Sequence, residues 1–261
     1  MQKRHKDNKL YFNESATSSR KYYVDYIMQY KHIDASTRVF EIGCGLGGNL
    51  LPLLENGCYV YGVDLSIDKI EAAKEMYDNN RCNCKFEACD FFITPNPTED
   101  EKFDIIIIHD VIEHISDKTK FLSRALDFLK SDGIIFWAFP AWQMPFGGHQ
   151  QICRSWLCSH TPFVHLLPKF AYEGLLKMCG ESNEVIAELL DIKECGVSVE
   201  RFENLCESEN LEILDRTLWF INPHYEQKFK LKPRRLWSGI THIRHIRNLF
   251  TTSCFYITKH N

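Results

Sequence analysis

Twelve residues, Val39 to Leu50, constrain this chain more than any others: Val-Phe-Glu-Ile-Gly-Cys-Gly-Leu-Gly-Gly-Asn-Leu. Val39 and Phe40 lead into Glu41, glycines follow at 43, 45, 47 and 48, and an apolar helical pattern comes next. This order predicts a strand, a tight turn and a helix start. Glycine accepts positive φ and has no Cβ, so the backbone can approach a ligand closely. A nucleoside cofactor needs such a turn. Gly43-x-Gly45-x-x-Gly48 also satisfies the dinucleotide fingerprint, so the turn alone leaves the cofactor open.

Three features downstream narrow the choice. Cys58 to Val63 reads as a second strand, followed by Asp64 and Leu65. A carboxylate at that strand end can accept both ribose hydroxyls, which suits either NAD or S-adenosylmethionine. Lys85-Phe-Glu-Ala-Cys-Asp90 reads as a third strand. Asp90 is placed to accept from an adenine amino group, with Phe91 beside the ring. Phe103-Asp-Ile-Ile-Ile-Ile-His-Asp110 is a fourth strand, apolar throughout its middle as in a strand buried on both faces. It runs into Val111-Ile-Glu113-His114.

On these motifs the chain resembles the class I S-adenosylmethionine-dependent methyltransferases of the small-molecule type. The matching residues are Glu41-x-Gly43-x-Gly45-x-Gly47, Asp64, Asp90 and Asp110-Val-Ile-Glu-His114, and the strong part of the match runs from about 37 to 140. The resemblance implies a Rossmann-like, mostly parallel seven-stranded α/β sheet with an antiparallel final strand. It implies S-adenosylmethionine as cofactor. Gly43, Gly45 and Gly47 would shape the methionine and ribose site, with Glu41 orienting the turn. Asp64 and Leu65 would flank the ribose, Asp90 and Phe91 the adenine, and Asp110 the methionine end.

Composition agrees with an enzyme of this kind. A chain of 261 residues with 44% hydrophobic and 25% charged residues can hold one large core. The net charge of −4 argues against a dedicated nucleic-acid-binding protein. No apolar run reaches transmembrane length, and the charged start lacks a signal-peptide apolar region. Eleven scattered cysteines read as reduced thiols, so a cytoplasmic location is expected.

The organisation expected is a single domain. Residues 1–36 form an N-terminal helical segment, with 1–17 mobile and a helix from Ser18 or Ser19 to Lys31. The cofactor core spans 37–140 and includes a helix over 117–130 and a strand over 134–139. A cap insertion occupies 141–197. Residues 198–261 complete the sheet and carry a basic insertion at 222–250. There, Lys228, Lys230, Lys232, Arg234, Arg235, Arg244 and Arg247 face one acid, Glu226, for a balance of seven minus one, or +6. The alternation from Lys228 to Lys232 predicts an extended segment with its charges on one side. Such a segment fits an anionic group on the acceptor, a membrane surface, RNA, or plain solvation.

Methyl transfer from a sulfonium is an in-line displacement with a neutral leaving group, so positioning dominates. An oxygen nucleophile also needs a base near neutral pKa. His149, in Pro145-Phe-Gly-Gly-His-Gln-Gln151, follows the fifth strand and is the first candidate base; His114 is the second. Trp142, Met144, Phe146, Trp156, Phe163, Phe170 and Tyr172 make the first part of the cap apolar and aromatic. An apolar or aromatic-bearing small-molecule acceptor follows from them. One helical turn would also place Asp110, Glu113 and His114 on one side, as in metal-binding relatives that methylate RNA 2′-oxygens. The expectation here is nevertheless that no metal is needed. His149, Cys153, Cys158, His160 and His165 match no closed zinc spacing. The competing readings are a metal-assisted RNA 2′-O-methyltransferase and a non-catalytic cofactor-binding subunit. An NAD oxidoreductase leaves Asp90 and the 110–114 motif unexplained.

Overall fold

Alternation of apolar strands with amphipathic helices builds a doubly covered sheet. The computed structural model describes residues 7–77 and 83–260. Its strands are β1 (Arg38–Ile42), β2 (Tyr59–Asp64), β3 (Cys84–Ala88), β4 (Phe103–His109), β5 (Leu129–Phe139), β6 (Leu211–Ile221), β7 (Arg234–Arg235) and β8 (Ser253–His260). They form one eight-stranded sheet in the order β3-β2-β1-β4-β5-β8-β6-β7. The first five are parallel, whereas β8 runs antiparallel to both β5 and β6. The eighth strand, not foreseen, is the two-residue β7, paired antiparallel to β6 at the edge. Two arginines on so short an edge oppose further strand pairing.

Ten helical elements matter for the site. They are α1 (Asn8–Ser18), α2 (Val24–Ile27), α3 (Leu51–Glu55), α4 (Ile67–Met76), α5 (Lys118–Asp127), α6 (Trp156–His160), α7 (Lys169–Met178), α8 (Asn183–Cys195), α9 (Val199–Ser208) and α10 (Tyr225–Phe229). Ser66 caps α4, Asp117 caps α5 and Ser198 caps α9, each accepting from a backbone N–H of the first turn.

The sheet buries both faces. On one, Phe40 stacks against Tyr61 and Phe103 with ring centroids 4.9 and 5.0 Å apart, beside Phe91, Phe128 and Trp137. On the other, Val39, Val60, Ile105, Phe136 and Phe255 pack under Tyr23, Tyr26 and Ile27. The 141–197 insertion carries a small cluster of its own, including Cys158, Tyr172, Leu176, Ile186 and Leu189. No helix among the described residues is long and apolar enough to cross a membrane.

Several boundaries differ from expectation. Residues 8–17 are helical, not mobile; Asp7 caps α1 through a 2.9 Å bond from Leu10 N. The expected cap at Ser18 or Ser19 does not occur. Both serines are buried inside a continuous helical run, which passes through a π-helical turn at 19–23 into α2. Tertiary contact overrides local preference here, because Ser19 Oγ donates to Asn49 O at 2.7 Å, on the helix that follows the glycine turn. The helix expected over 117–130 stops at Asp127, and β5 begins at Leu129 rather than 134. Leu129 pairs with Phe103 ahead of a register shift that accommodates Ser131-Asp-Gly133.

The basic insertion is also different. Tyr225 to Phe229 are helical and Lys230 takes the left-handed conformation, so Lys228 to Lys232 do not alternate on a strand. Arg247 is no surface charge. It is 5% exposed, with Nε 3.0 Å from Glu200 and Nη2 2.7 Å from Glu203. Glu200 also accepts from His245 N and Asn248 Nδ2, tying the insertion to α9.

Removing one member of a buried pair leaves the other charge uncompensated, at a cost of about 3–5 kcal/mol. Arg247→Ala should therefore lower the unfolding free energy measured in urea by that order. Arg244→Ala, on the same insertion, should shift it by less than about 0.5 kcal/mol. Equal effects would show that the Glu200–Arg247 contact does not hold the insertion.

Candidate functional site

The carboxyl ends of β1, β2 and β4 open onto one cleft. The glycine turn at its floor is held from two sides. Gly43 N and Cys44 N donate to Val63 O at 2.8 and 2.9 Å. Gly45 N donates to Asp64 Oδ2 at 2.9 Å, while Ser66 N donates to Asp64 Oδ1 at 2.9 Å. Two of the glycines are required sterically. A Cβ at Gly43 (φ +73°) would lie 2.4 Å from Val111, and one at Gly47 (φ +76°) 2.7 Å from Phe86. Gly45 differs: its Cβ direction meets nothing nearer than Lys69 at 4.0 Å, so the chain leaves room there.

Glu41 lies under the turn and is 1% exposed. Its Oε1 accepts from Asn49 Nδ2 at 2.7 Å, whereas Oε2 has no partner. Burial raises this carboxyl to about 8, with the Asn49 bond opposing and the Asp64 charge adding.

Asp90 is exposed and accepts from Phe92 N at 2.9 Å. Leu65 and Ile93 are 76% and 79% exposed. Phe91 requires a correction. Its ring is 6% exposed and packs against Phe40, Phe121 and Phe128, so it belongs to the core and is not free to lie beside a base.

Asp110 adopts φ +52°, which breaks the expected helical turn; only Ile112–His114 form a short 3-10 turn. Asp110, Glu113 and His114 are therefore not one ligand face. Asp110 Oδ2 lies 3.5 Å from His109 Nδ1, and His109 Nε2 is bonded to Tyr23 OH at 2.9 Å. The partner that joins Glu113 and His114 is His149. Ligand atoms of these three residues lie within 4.8 Å of one another, the only such cluster of three or more among the described residues. The His114 and His149 rings meet edge to face, with centroids 5.0 Å apart.

His149 is carried on a braced loop in the left-handed conformation. A Cβ at Gly147 would lie 2.2 Å from Trp142 O, and one at Gly148 2.3 Å from His165. His165 is buried, and its Nε2 donates to Trp142 O at 2.8 Å. Desolvation lowers it to about 4, so it is a neutral structural imidazole. Desolvation also lowers His114 and His149, the latter further through His114, while Asp110 opposes both shifts. His160 bonds Ser159 on the exposed face of α6 and stays apart from this cluster. Trp156 and Phe170 are 73% and 79% exposed and Tyr172 is in the cap's own core, so not all cap aromatics face the cleft.

Sequence reasoning missed three tyrosines. Tyr11 (α1), Tyr23 (the π turn) and Tyr225 (α10) surround Asp110, whose charge adds to burial in raising all three hydroxyls. Tyr11 and Tyr225 reach about 12. Tyr11 stays 40% exposed. Ser18 Oγ and His224 Nδ1, 3.0 Å apart, join α1 to the second insertion. Asp7 as a cap was a readable sign of α1; nothing local marked Tyr225 as part of the site.

A methyltransferase-domain family profile matches residues 33–160. These residues form a class I, S-adenosylmethionine-dependent methyltransferase domain. The chain is 32% identical over 166 residues to a ubiquinone biosynthesis O-methyltransferase of Bartonella tribocorum, covering 62% of this chain and 63% of that one. It is 36% identical over 97 residues to phosphoethanolamine N-methyltransferase 3 of Arabidopsis thaliana, covering 37% of this chain and 19% of the relative. The chain thus spans less than two thirds of either relative. Among solved structures, the fold is similar to geranyl diphosphate C-methyltransferase from Streptomyces coelicolor, in complex with Mg²⁺, geranyl diphosphate and S-adenosyl-L-homocysteine. That match has a TM-score of 0.58 at 14% identity, over 92% of this chain and 78% of the other.

The Glu41 carboxyl yields a pH test. Its folded value, about 8, stands above the ordinary 4.5. Between these limits the unfolded chain has released a proton that the folded chain retains. Stability then falls as pH rises, by about 1.4 kcal/mol per unit from this group. Urea titrations of wild type and Glu41→Gln should differ by an amount that changes with that slope from about pH 5.5 to 7.5. A difference independent of pH would mean that Glu41 is ionised in the folded chain.

Proposed function

We propose that this chain binds S-adenosylmethionine and transfers its methyl group to a small-molecule acceptor at oxygen. The carrying observation is the Asp64 cradle, in which one carboxylate is fixed by Gly45 N and Ser66 N beside the open position at Gly45. In this reading Gly43, Gly45 and Gly47 border the methionine and ribose, Asp64 accepts from the ribose hydroxyls, and Leu65 and Asp90 flank the adenine. The Glu41 carboxyl keeps an unpartnered Oε2 beneath the turn, and the positive charge of a bound cofactor would favour its ionised form. Asp110 borders the methionine end, and the three tyrosines narrow the approach to it.

The acceptor enters between the cap and the 110–114 turn. His149 and His114 handle its proton, standing where the acceptor-facing loops converge. Oxygen is favoured because the O-methyltransferase relative aligns over the longer stretch, 62% of the chain against 37% for the N-methyltransferase. The acceptor is apolar or aromatic-bearing, in keeping with Tyr11, Tyr23 and Tyr225 around Asp110.

Isothermal titration should give stoichiometric binding of S-adenosylhomocysteine and none of NADH. Loss of charged hydrogen bonds in Asp64→Ala should weaken that binding roughly 10- to 100-fold. Tighter binding of NADH would reject the cofactor assignment. With an acceptor in hand, His149→Ala should lower turnover by about 10²-fold with cofactor affinity unchanged. A loss below about tenfold would remove His149 from the chemistry.

A further inference from the structure

We propose that Glu113, His114 and His149 form a binding site for a divalent first-row metal ion at the acceptor side of the cleft. The set differs from the one the 110–114 motif implied. Asp110 is turned toward His109 by its left-handed backbone, and its place is taken by a histidine from the loop after β5.

Three observations converge. The first is geometric. One carboxylate oxygen and two imidazole nitrogens lie within 4.8 Å of one another. Ligand atoms about 2.0–2.2 Å from a tetrahedral ion stand roughly 3.3–3.6 Å apart. Side-chain movements on the order of an ångström close the set.

The second is an unmet need. Glu113 is 5% exposed, and its Oε2 has no hydrogen-bond partner. The nearest cationic chain does not satisfy it: Lys118 Nζ donates to the carbonyls of Ile115 and Cys195. A buried carboxylate without a counter-charge is expensive, and structures keep one where a ligand completes it.

The third is presentation. His149 holds φ +53°, an unfavourable conformation for a non-glycine residue. The loop that imposes it is rigid: Gly147 and Gly148 are closed in by Trp142 and His165, and Gln150 Nε2 donates to Pro145 O at 3.2 Å. A buried neutral histidine and two obligatory glycines thus aim one imidazole at another.

Two imidazoles and one carboxylate suit Zn²⁺, Mn²⁺, Fe²⁺ or Co²⁺ better than Mg²⁺, which prefers all-oxygen sites. Three protein ligands leave positions open for the acceptor, and with the ion bound His114 and His149 act on the acceptor's proton through the metal rather than as free bases. An acceptor hydroxyl bound there loses its proton to water more readily. The resulting oxyanion attacks the methyl carbon, the C–S bond breaks, and sulfur keeps the electron pair as S-adenosylhomocysteine departs. The binding site stands on the geometry alone; only this role rests on the proposed methyl transfer.

The test uses the full chain, stripped with EDTA and desalted, then titrated with Co²⁺ while visible absorption is recorded, and with Zn²⁺ by calorimetry. One ion per chain is expected, with ligand-field bands. His149→Ala and the near-isosteric Glu113→Gln should each weaken binding at least about tenfold, the scale of losses seen even for residues behind the ligands. His160→Ala, outside the cluster, should not weaken it. Circular dichroism melts confirm that the variants are folded, and Glu113→Gln serves if His149→Ala is not. Sub-stoichiometric binding, or binding that survives both substitutions, overturns the site. S-adenosylhomocysteine is titrated in parallel. Its failure to bind alongside intact Co²⁺ binding would reject the methyl-transfer reading and leave the metal site standing.

Discussion

The cleft depends on one carboxylate. Asp64 ends β2 and accepts from Gly45 N on the neighbouring strand's turn and from Ser66 N ahead of α4. These two bonds fix where the glycine turn lies relative to the next βα unit. α1 then rests on the turn, where Gly48 admits Phe12 O and Ser15, and Ser19 bonds Asn49 O. The same carboxylate faces the space left beside Gly45. One side chain therefore organises the floor of the cleft.

The parallel half of the molecule was legible because its signals are local and repeated. Apolar runs such as Ile105–Ile108 mark strands buried on both faces, and Ser66 and the glycines mark where those strands turn. What escaped the sequence is non-local. Tyr225 reaches Asp110 from a segment whose lysines suggested an extended strand. Phe91 follows Asp90 in a position that looks adjacent to a ligand, yet three core rings claim it. Arg247 counts as a surface charge in any tally until Glu200 is seen against it. The 110–114 motif gives the right residue types in the wrong geometry, because periodicity cannot foresee a left-handed Asp110. His149 was readable as a loop residue with a purpose, but its partners Glu113 and His114 were not.

Two buried acids, Glu41 and Glu113, each keep one oxygen without a partner. They sit on opposite sides of Asp110, one below the cofactor turn and one after β4. A core optimised for stability alone would replace both with apolar side chains. Burial raises both carboxyls, so each ionises readily only when a cation lies beside it. Tyr11, Tyr23 and Tyr225 are held un-ionised by burial, with the Asp110 charge adding, so they offer hydroxyl donors without further negative charge.

The position of β8 has a consequence for how the chain becomes folded. It lies between β5 and β6, although β6 precedes it in sequence. The five parallel strands can assemble among themselves as soon as β5 exists. β6 has no edge to join until residues 253–260 arrive to bridge it to β5. During synthesis β6 must wait without its β8 partner, joined only to the two-residue β7, and with it waits the segment that brings His224 to Ser18. The cofactor floor is thus complete early, while the wall that encloses it closes only in the last step. Substrate access and late-stage folding are governed by the same contacts.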